Sequence, residues 1–170
     1  MSTEENKEDV DADLANGDRY KGQIVEGVKH GKGVYTFKTG EIYEGEFFAG
    51  KFHGQGSFTN SKGDKYFGPF DNGRRKGRGM IIFKNGDQFE GDFKEDLIEG
   101  KGVYTFSNGE KYEGMLVKGE FEGTGSYFYR NGDVFEGSWK EDKKHGQGKV
   151  IMKDGTVLEG QWENDLYKSK

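Results

Sequence analysis

The sequence has no cysteine and only one proline in 170 residues. Without cysteine there is neither a disulfide framework nor a thiolate metal centre. Thirty glycines would otherwise suggest collagen, but that fold needs glycine at every third residue and abundant proline. Long hydrophobic runs are missing too: no stretch nears the roughly 20 apolar residues of a membrane-spanning helix. Only 31% of the chain is hydrophobic, which is too little for a thick multilayer core. Helix is disfavoured because each interior glycine costs about 1 kcal/mol relative to alanine. Aromatic residues make up 15% of the chain, so a disordered linker is equally disfavoured. What is left is a strand-and-turn protein that uses glycine by position.

The start of the chain is acidic and polar, unlike a signal or transit peptide, and residue 2 is serine, so the myristoylation motif is absent. No Asn-x-Ser/Thr sequon occurs. A cytosolic, disulfide-free protein is expected. The net charge of −5 is confined to residues 1–19, which carry seven acids and two bases. The other 24 acids and 24 bases cancel, leaving a neutral body with no field to draw in nucleic acid.

From Tyr20 the chain divides into 23-residue blocks without insertions: 20–42, 43–65, 66–88, 89–111, 112–134 and 135–157, with a partial seventh over 158–170. Position 3 of each block is glycine in all seven, from Gly22 to Gly160, and positions 12, 14 and 21 are glycine in all six complete blocks. Position 8 is glycine or aspartate, both tolerant of left-handed backbone, and is predicted to have positive φ. Positions 1, 5, 16 and 18 hold 19 of the 25 aromatic residues.

The spacings 1-3-5 and 14-16-18 have period two, so each block reads as two short strands with one apolar face. Strand A covers positions 1–6 and strand B positions 14–19. Segments such as Lys84-Asn85-Gly86 join strand B to the next strand A. A two-residue loop there would put positions 16 and 18 on the opposite face from position 1. A three-residue loop over positions 19–21 keeps the aromatics on one face, with a left-handed glycine closing a bulge. This register sets position 14 beside position 3 of the next block, as in Gly33 beside Gly45, so that rings can lie over glycine backbone. The A-to-B connection is expected to be longer, over positions 7–13. About 13 strands result, in an all-β, single-layer, twisted antiparallel hairpin ribbon roughly 60 Å long. An acidic tail over 1–19 is expected to be disordered or a short helix, with Ser2 and Glu5 as a capping box.

Tyr-x-Gly at positions 1–3, Gly-x-Gly at 12–14 and the 23-residue period resemble the MORN repeat family, and 43–65 matches that pattern closely. The resemblance implies an elongated antiparallel hairpin fold and a scaffold role near membranes or the cytoskeleton, including cilia and flagella. Mild departures are aspartate at position 8 in three blocks, Phe67 at position 2 and Pro69 at position 4.

Catalytic and ligand signatures yield no site. His30, His53 and His145 all fall at position 11, too far apart along the sheet for a shared metal. Gly45-x4-Gly50-Lys51 imitates a phosphate loop, but Phe52 replaces the serine or threonine that the loop requires. No nucleophile pairs with a base outside the repeat register, so no enzyme activity and no cofactor are expected. The leading expectation is a non-catalytic scaffold that binds a partner helix or extended peptide on its aromatic–glycine face. Phe47, Tyr66, Phe70, Phe93, Tyr104 and Tyr112 are the candidate contacts. A second expectation is weak binding to anionic lipid through Arg74, Arg75, Lys76 and Arg78, read as one basic loop. A third is self-association through unpaired edge strands at residues 20–25 and 158–163.

Overall fold

The computed structural model describes residues 6–169, which form sixteen β-strands and no helix. The chain divides into two compact units, Met1–Lys84 and Asn85–Lys170. The first holds β1 (Glu8–Asp13), β2 (Arg19–Val25), β3 (Val28–Thr36), β4 (Ile42–Phe48), β5 (Lys51–Thr59), β6 (Lys65–Asp71), β7 (Arg74–Arg75) and β8 (Gly77–Ile82). Sequential neighbours pair antiparallel from β1 to β6, and β7 and β8 both pair with β6. The second holds β9 (Gln88–Lys94), β10 (Leu97–Thr105), β11 (Lys111–Val117), β12 (Glu120–Phe128), β13 (Val134–Lys140), β14 (Lys143–Ile151), β15 (Val157–Glu163) and β16 (Leu166–Ser169). These also pair antiparallel in chain order.

The loop from strand B to strand A is the predicted three-residue one. In the first block Phe37 N–H donates to the Glu41 carbonyl at 2.9 Å, and Gly40 N–H donates to the Phe37 carbonyl at 2.9 Å. Gly40 closes the turn at φ 98°, and Gly86 and Gly109 do the same at 92° and 89°. Gly33 pairs with Gly45 and Tyr35 with Tyr43, so the aromatic positions share a face.

The other connection differs from the prediction. It is not a loop over positions 7–13 but a two-residue hairpin at positions 7 and 8, both left-handed. Glu26 and Gly27 have φ 49° and 76°, and Glu95 and Asp96 have 47° and 72°. Positive φ at both residues is the geometry of a type I′ turn, whose twist matches the flanking strands. Strand B therefore begins at position 9 and contains the residues assigned to the loop. A bulge absorbs the excess: Gly45 faces Gly56 while Glu46 already faces His53. The left-handed glycine of that bulge, Gly54, has φ 58°. Glu46 fills the bulge by accepting from Gln55 N–H at 3.1 Å, as Gln23 does from Lys32 N–H at 3.0 Å.

The acidic tail is corrected as well. Residues 8–13 are strand β1, not a helix, and Leu14-Ala15-Asn16-Gly17-Asp18 forms the same three-residue loop that follows every later strand B, with Gly17 at φ 88°. The capping pair Ser2 and Glu5 lies outside the described residues. β1 is thus half a repeat placed before the first block. Because β1 pairs with β2 and β16 with β15, the two strands expected to be unpaired edges are both covered.

Each ring at position 1 lies over the glycines at positions 3 and 14 of its own block. A Cβ on Gly33 would stand 2.6 Å from the Tyr20 hydroxyl, and one on Gly102 2.4 Å from Phe89 Cε2. The rings then run edge-to-face from block to block. In the first unit Tyr20, Phe47, Tyr43, Phe70 and Tyr66 follow one another at centroid distances of 5.1–5.2 Å. In the second, Tyr112, Trp139, Phe135 and Trp162 follow at 5.3 Å. Edge-to-face pairs contribute about 0.5–1.5 kcal/mol each beyond their burial.

A Gly102→Ala variant is expected to lose about 1–3 kcal/mol, the usual cost of overpacking, because the Phe89 ring cannot stay in place. Combining it with Phe89→Leu should cost clearly less than the sum of the two single changes. Urea unfolding followed by Trp139 and Trp162 fluorescence measures both.

Candidate functional site

The position-10 side chains, assigned to a loop in the sequence reading, are the cover of the aromatic row. Phe52 stacks on Tyr43 at 3.8 Å and 12°, and Phe121 stacks on Tyr112 at 3.7 Å and 8°. In three other blocks a cation takes this place: Lys29 Nζ lies 5.8 Å from the Tyr20 ring, the Arg75 guanidinium 5.5 Å from Tyr66 and Lys144 Nζ 5.6 Å from Phe135. A ring at position 1 is therefore sandwiched between glycine backbone and a position-10 side chain. The sequence did carry a signal: three of the six aromatics outside the main register, Phe52, Phe121 and Tyr167, share position 10.

This cover changes the candidate site. Phe47, Tyr66, Phe70, Phe93 and Tyr112 are each no more than 6% exposed, so they form the interior of the sheet face instead of an open groove. Tyr104 alone of the six candidates is half-buried. The accessible part of the aromatic face lies beside it, at positions 16 and 18. In the second unit it comprises Tyr104, Phe106, Tyr127 and Tyr129, with ring centroids 4.7 Å (Tyr104–Phe106), 5.8 Å (Phe106–Tyr127) and 4.7 Å (Tyr127–Tyr129) apart. In the first unit Phe37 and Phe58 form the corresponding half-buried pair at 6.2 Å.

Carboxylates at position 22 fix this strip from the loop side. Asp87 accepts from the Tyr104 hydroxyl at 2.9 Å and from Ser107 N–H at 2.8 Å, the latter in the next loop. Glu110 accepts from the Tyr127 hydroxyl at 2.8 Å and from Arg130 N–H. Asp18 likewise accepts from the Tyr35 hydroxyl and from Lys38 N–H at 2.9 Å. Each carboxylate thus ties one loop to the next, about twenty residues on. Hydrogen bonds to the charged form lower a carboxyl group's pKa. The Ser107 backbone N–H, followed by the Asn85 and Tyr104 side chains, holds Asp87 below the usual carboxylate value despite its burial. The Tyr127 hydroxyl does the same for Glu110. Burial pushes the Tyr43 phenol up to about 12.

The four cations predicted to share one loop lie instead on β7, the bulge after it and β8. Arg75 is drawn onto the Tyr66 ring, and Lys76 forms a 2.8 Å ion pair with Asp71. The geometry therefore divides the cluster between intramolecular partners. The histidines keep their repeat register, with His53 Nδ1 4.0 Å from Asp71. Among the described residues, no group of three or more His, Asp or Glu side chains is placed to hold a metal, and no helix is long and apolar enough to cross a membrane.

Because the folded-state values of Asp87 and Glu110 are depressed, their stabilising contribution is complete above the ordinary carboxylate range. It is lost as pH falls below that range, through the folded-state values. Asp87→Asn is expected to be less stable than the wild type at neutral pH. The gap should narrow on acidification to about pH 2.5, as the wild-type carboxylate takes up its proton and loses its advantage. Urea midpoints at the two pH values measure it.

A search of curated proteins finds no significant match. Among solved structures, the SAS-4 (dCPAP) TCP domain of Drosophila melanogaster, in complex with a proline-rich motif of Ana2, is similar with a TM-score of 0.58 and 12% identity, over 95% of this chain and 94% of that one. The TCP10c domain of Drosophila melanogaster Sas-4 is similar with a TM-score of 0.53 and 11% identity, over 92% of this chain and 99% of that one. At such identities the likeness is one of fold. The MORN repeat family matches residues 20–42, 43–65, 66–88, 89–111, 112–134 and 135–157, block for block, and the chain belongs to that family.

Proposed function

We propose that this chain is a non-catalytic scaffold that binds a partner protein segment, a helix or an extended peptide, on the half-open strip of its aromatic face. The observation that carries this reading is the row Tyr104, Phe106, Tyr127 and Tyr129. Four large rings stay half-buried on a sheet face that, among the described residues, has no second layer over them. Rings held rigid by carboxylate and ring contacts lose little entropy on binding, which is why aromatic residues dominate interface hot spots. Within the same unit, the buried rings Phe93 and Tyr112 act as the floor beside the strip. The fold supports the same reading, since the similar SAS-4 domain is seen with a proline-rich motif bound. A cytoskeletal or ciliary assembly is the setting that family membership suggests.

A Phe106→Ser/Tyr127→Ser variant tests this. Affinity purification from the native source, quantified by mass spectrometry, should recover specific partners at least about tenfold less well than with the wild type, as expected when hot-spot rings are removed. A Phe48→Ser variant, on the opposite face, should recover them unchanged. Equal recovery by a folded double variant would reject the aromatic strip as the binding surface.

A further inference from the structure

The strand β1 is held differently from the other long strands of its unit. All six of its residues pair with β2, from Glu8 opposite Ile24 to Asp13 opposite Arg19. Five of its six side chains are nevertheless exposed, and Val10 is only half-buried. It carries no aromatic residue, and Val10 stands where every complete block has the position-14 glycine that accepts a ring. Besides the ladder, ion pairs at the surface link it to β2: Asp11 to Arg19 at 2.8 Å, Asp13 to Arg19 at 3.4 Å and Asp11 to Lys21 at 3.9 Å. Exposed pairs of this kind add little. Beneath it, β2 carries Tyr20, which is 2% exposed and part of the continuous ring row. A weakly held strand therefore covers a strongly held edge.

We propose that β1 is a detachable acidic clasp over the β2 edge, and that the edge it covers is a site of pairing with β2 of a second copy of this chain. Strand edges template association, and natural proteins blunt them with charge. The four carboxylates of β1, Glu8, Asp9, Asp11 and Asp13, give the closed form an edge that repels its own kind. The opened edge has the reverse property. An antiparallel two-fold pairing with Gly22 opposite Gly22 keeps glycine beside glycine, as in the pairs Gly22–Gly33 and Gly33–Gly45 of the same sheet. In that register Tyr20 lies beside Ile24 of the second copy on the apolar face. On the other face Lys21 lies beside Gln23 and Arg19 beside Val25, so no like charges stand directly opposite each other.

Two measurements on the full chain test the clasp. In hydrogen exchange, β1 amides should exchange at least about tenfold faster than those of β4, through local opening. A Val10→Pro/Asp11→Pro variant removes ladder donors from β1 alone. By light scattering after size exclusion it should be a dimer at concentrations where the wild type is a monomer, with its circular dichroism unchanged. An excess of a synthetic peptide spanning residues 6–14 should return it to monomer. Protection of β1 equal to that of β4, a folded Pro variant that stays monomeric, or a dimer that the peptide leaves intact would each overturn the proposal. If the variant loses its circular dichroism, the exchange comparison decides alone.

Discussion

The structure depends on the contact between an aromatic ring and a pair of glycines on adjacent strands. Only a residue without Cβ lets the position-1 ring lie directly on the backbone, because a Cβ on Gly56 or Gly125 would stand 2.4–2.9 Å from side-chain atoms of Tyr43 or Tyr112. That contact buries large rings without a second sheet. It also explains how a chain of which only 31% is hydrophobic sustains a fold. Burial is achieved within one layer, from below by glycine backbone and from above by the position-10 side chain of the neighbouring strand.

Two further devices convert stacked hairpins into continuous arrays within each unit. On the three-residue loop side, the position-22 carboxylates accept from the tyrosine of the next strand and the backbone of the next loop. On the two-residue turn side, the residue at position 8 donates its N–H to the position-10 carbonyl of the preceding block, as Gly50 does to Lys29 and Gly119 to Ile98. Where that residue is aspartate, its carboxylate can add a second link: Asp142 accepts from Phe121 N–H at 2.7 Å and Asp165 from Lys144 N–H at 3.0 Å. The aspartates that depart from the repeat pattern at these two positions are thus stitches, repaying the cost of left-handed backbone without glycine.

The candidate site follows from the same geometry. Rings near the glycine row are covered by position 10 and sealed. Rings near the three-residue loops, such as Phe106 and Tyr129, lie beyond the reach of that cover and stay half-open, while the carboxylate ladder keeps their tyrosine neighbours in place. The binding strip is what remains of an apolar face after the array has used the rest for its own stability.

Much of this was legible in the sequence, because it rests on local sterics. Alternation at positions 1-3-5 and 14-16-18 set the faces, the parity of that alternation required a three-residue loop, and Gly or Asp at position 8 required positive φ. The cover over the rings was not legible. Glycines at positions 8, 12 and 14 read as loop punctuation, and residues such as Glu26, Ala49 and Lys118 gave no sign that position 7 is also left-handed. In sequence, strand B therefore reads too short, Phe52 and Arg75 fall into a connection, and β1 escapes notice because its half-repeat has the turn glycine Gly17 but none of the strand glycines and rings that mark the others. Sequence by itself determined the block, the faces and the turn glycines, each governed by neighbours a few residues away. Tertiary structure decided which rings are buried, which stay open and which edges are closed, because these depend on side chains brought together by strand pairing and by stacking from one block to the next.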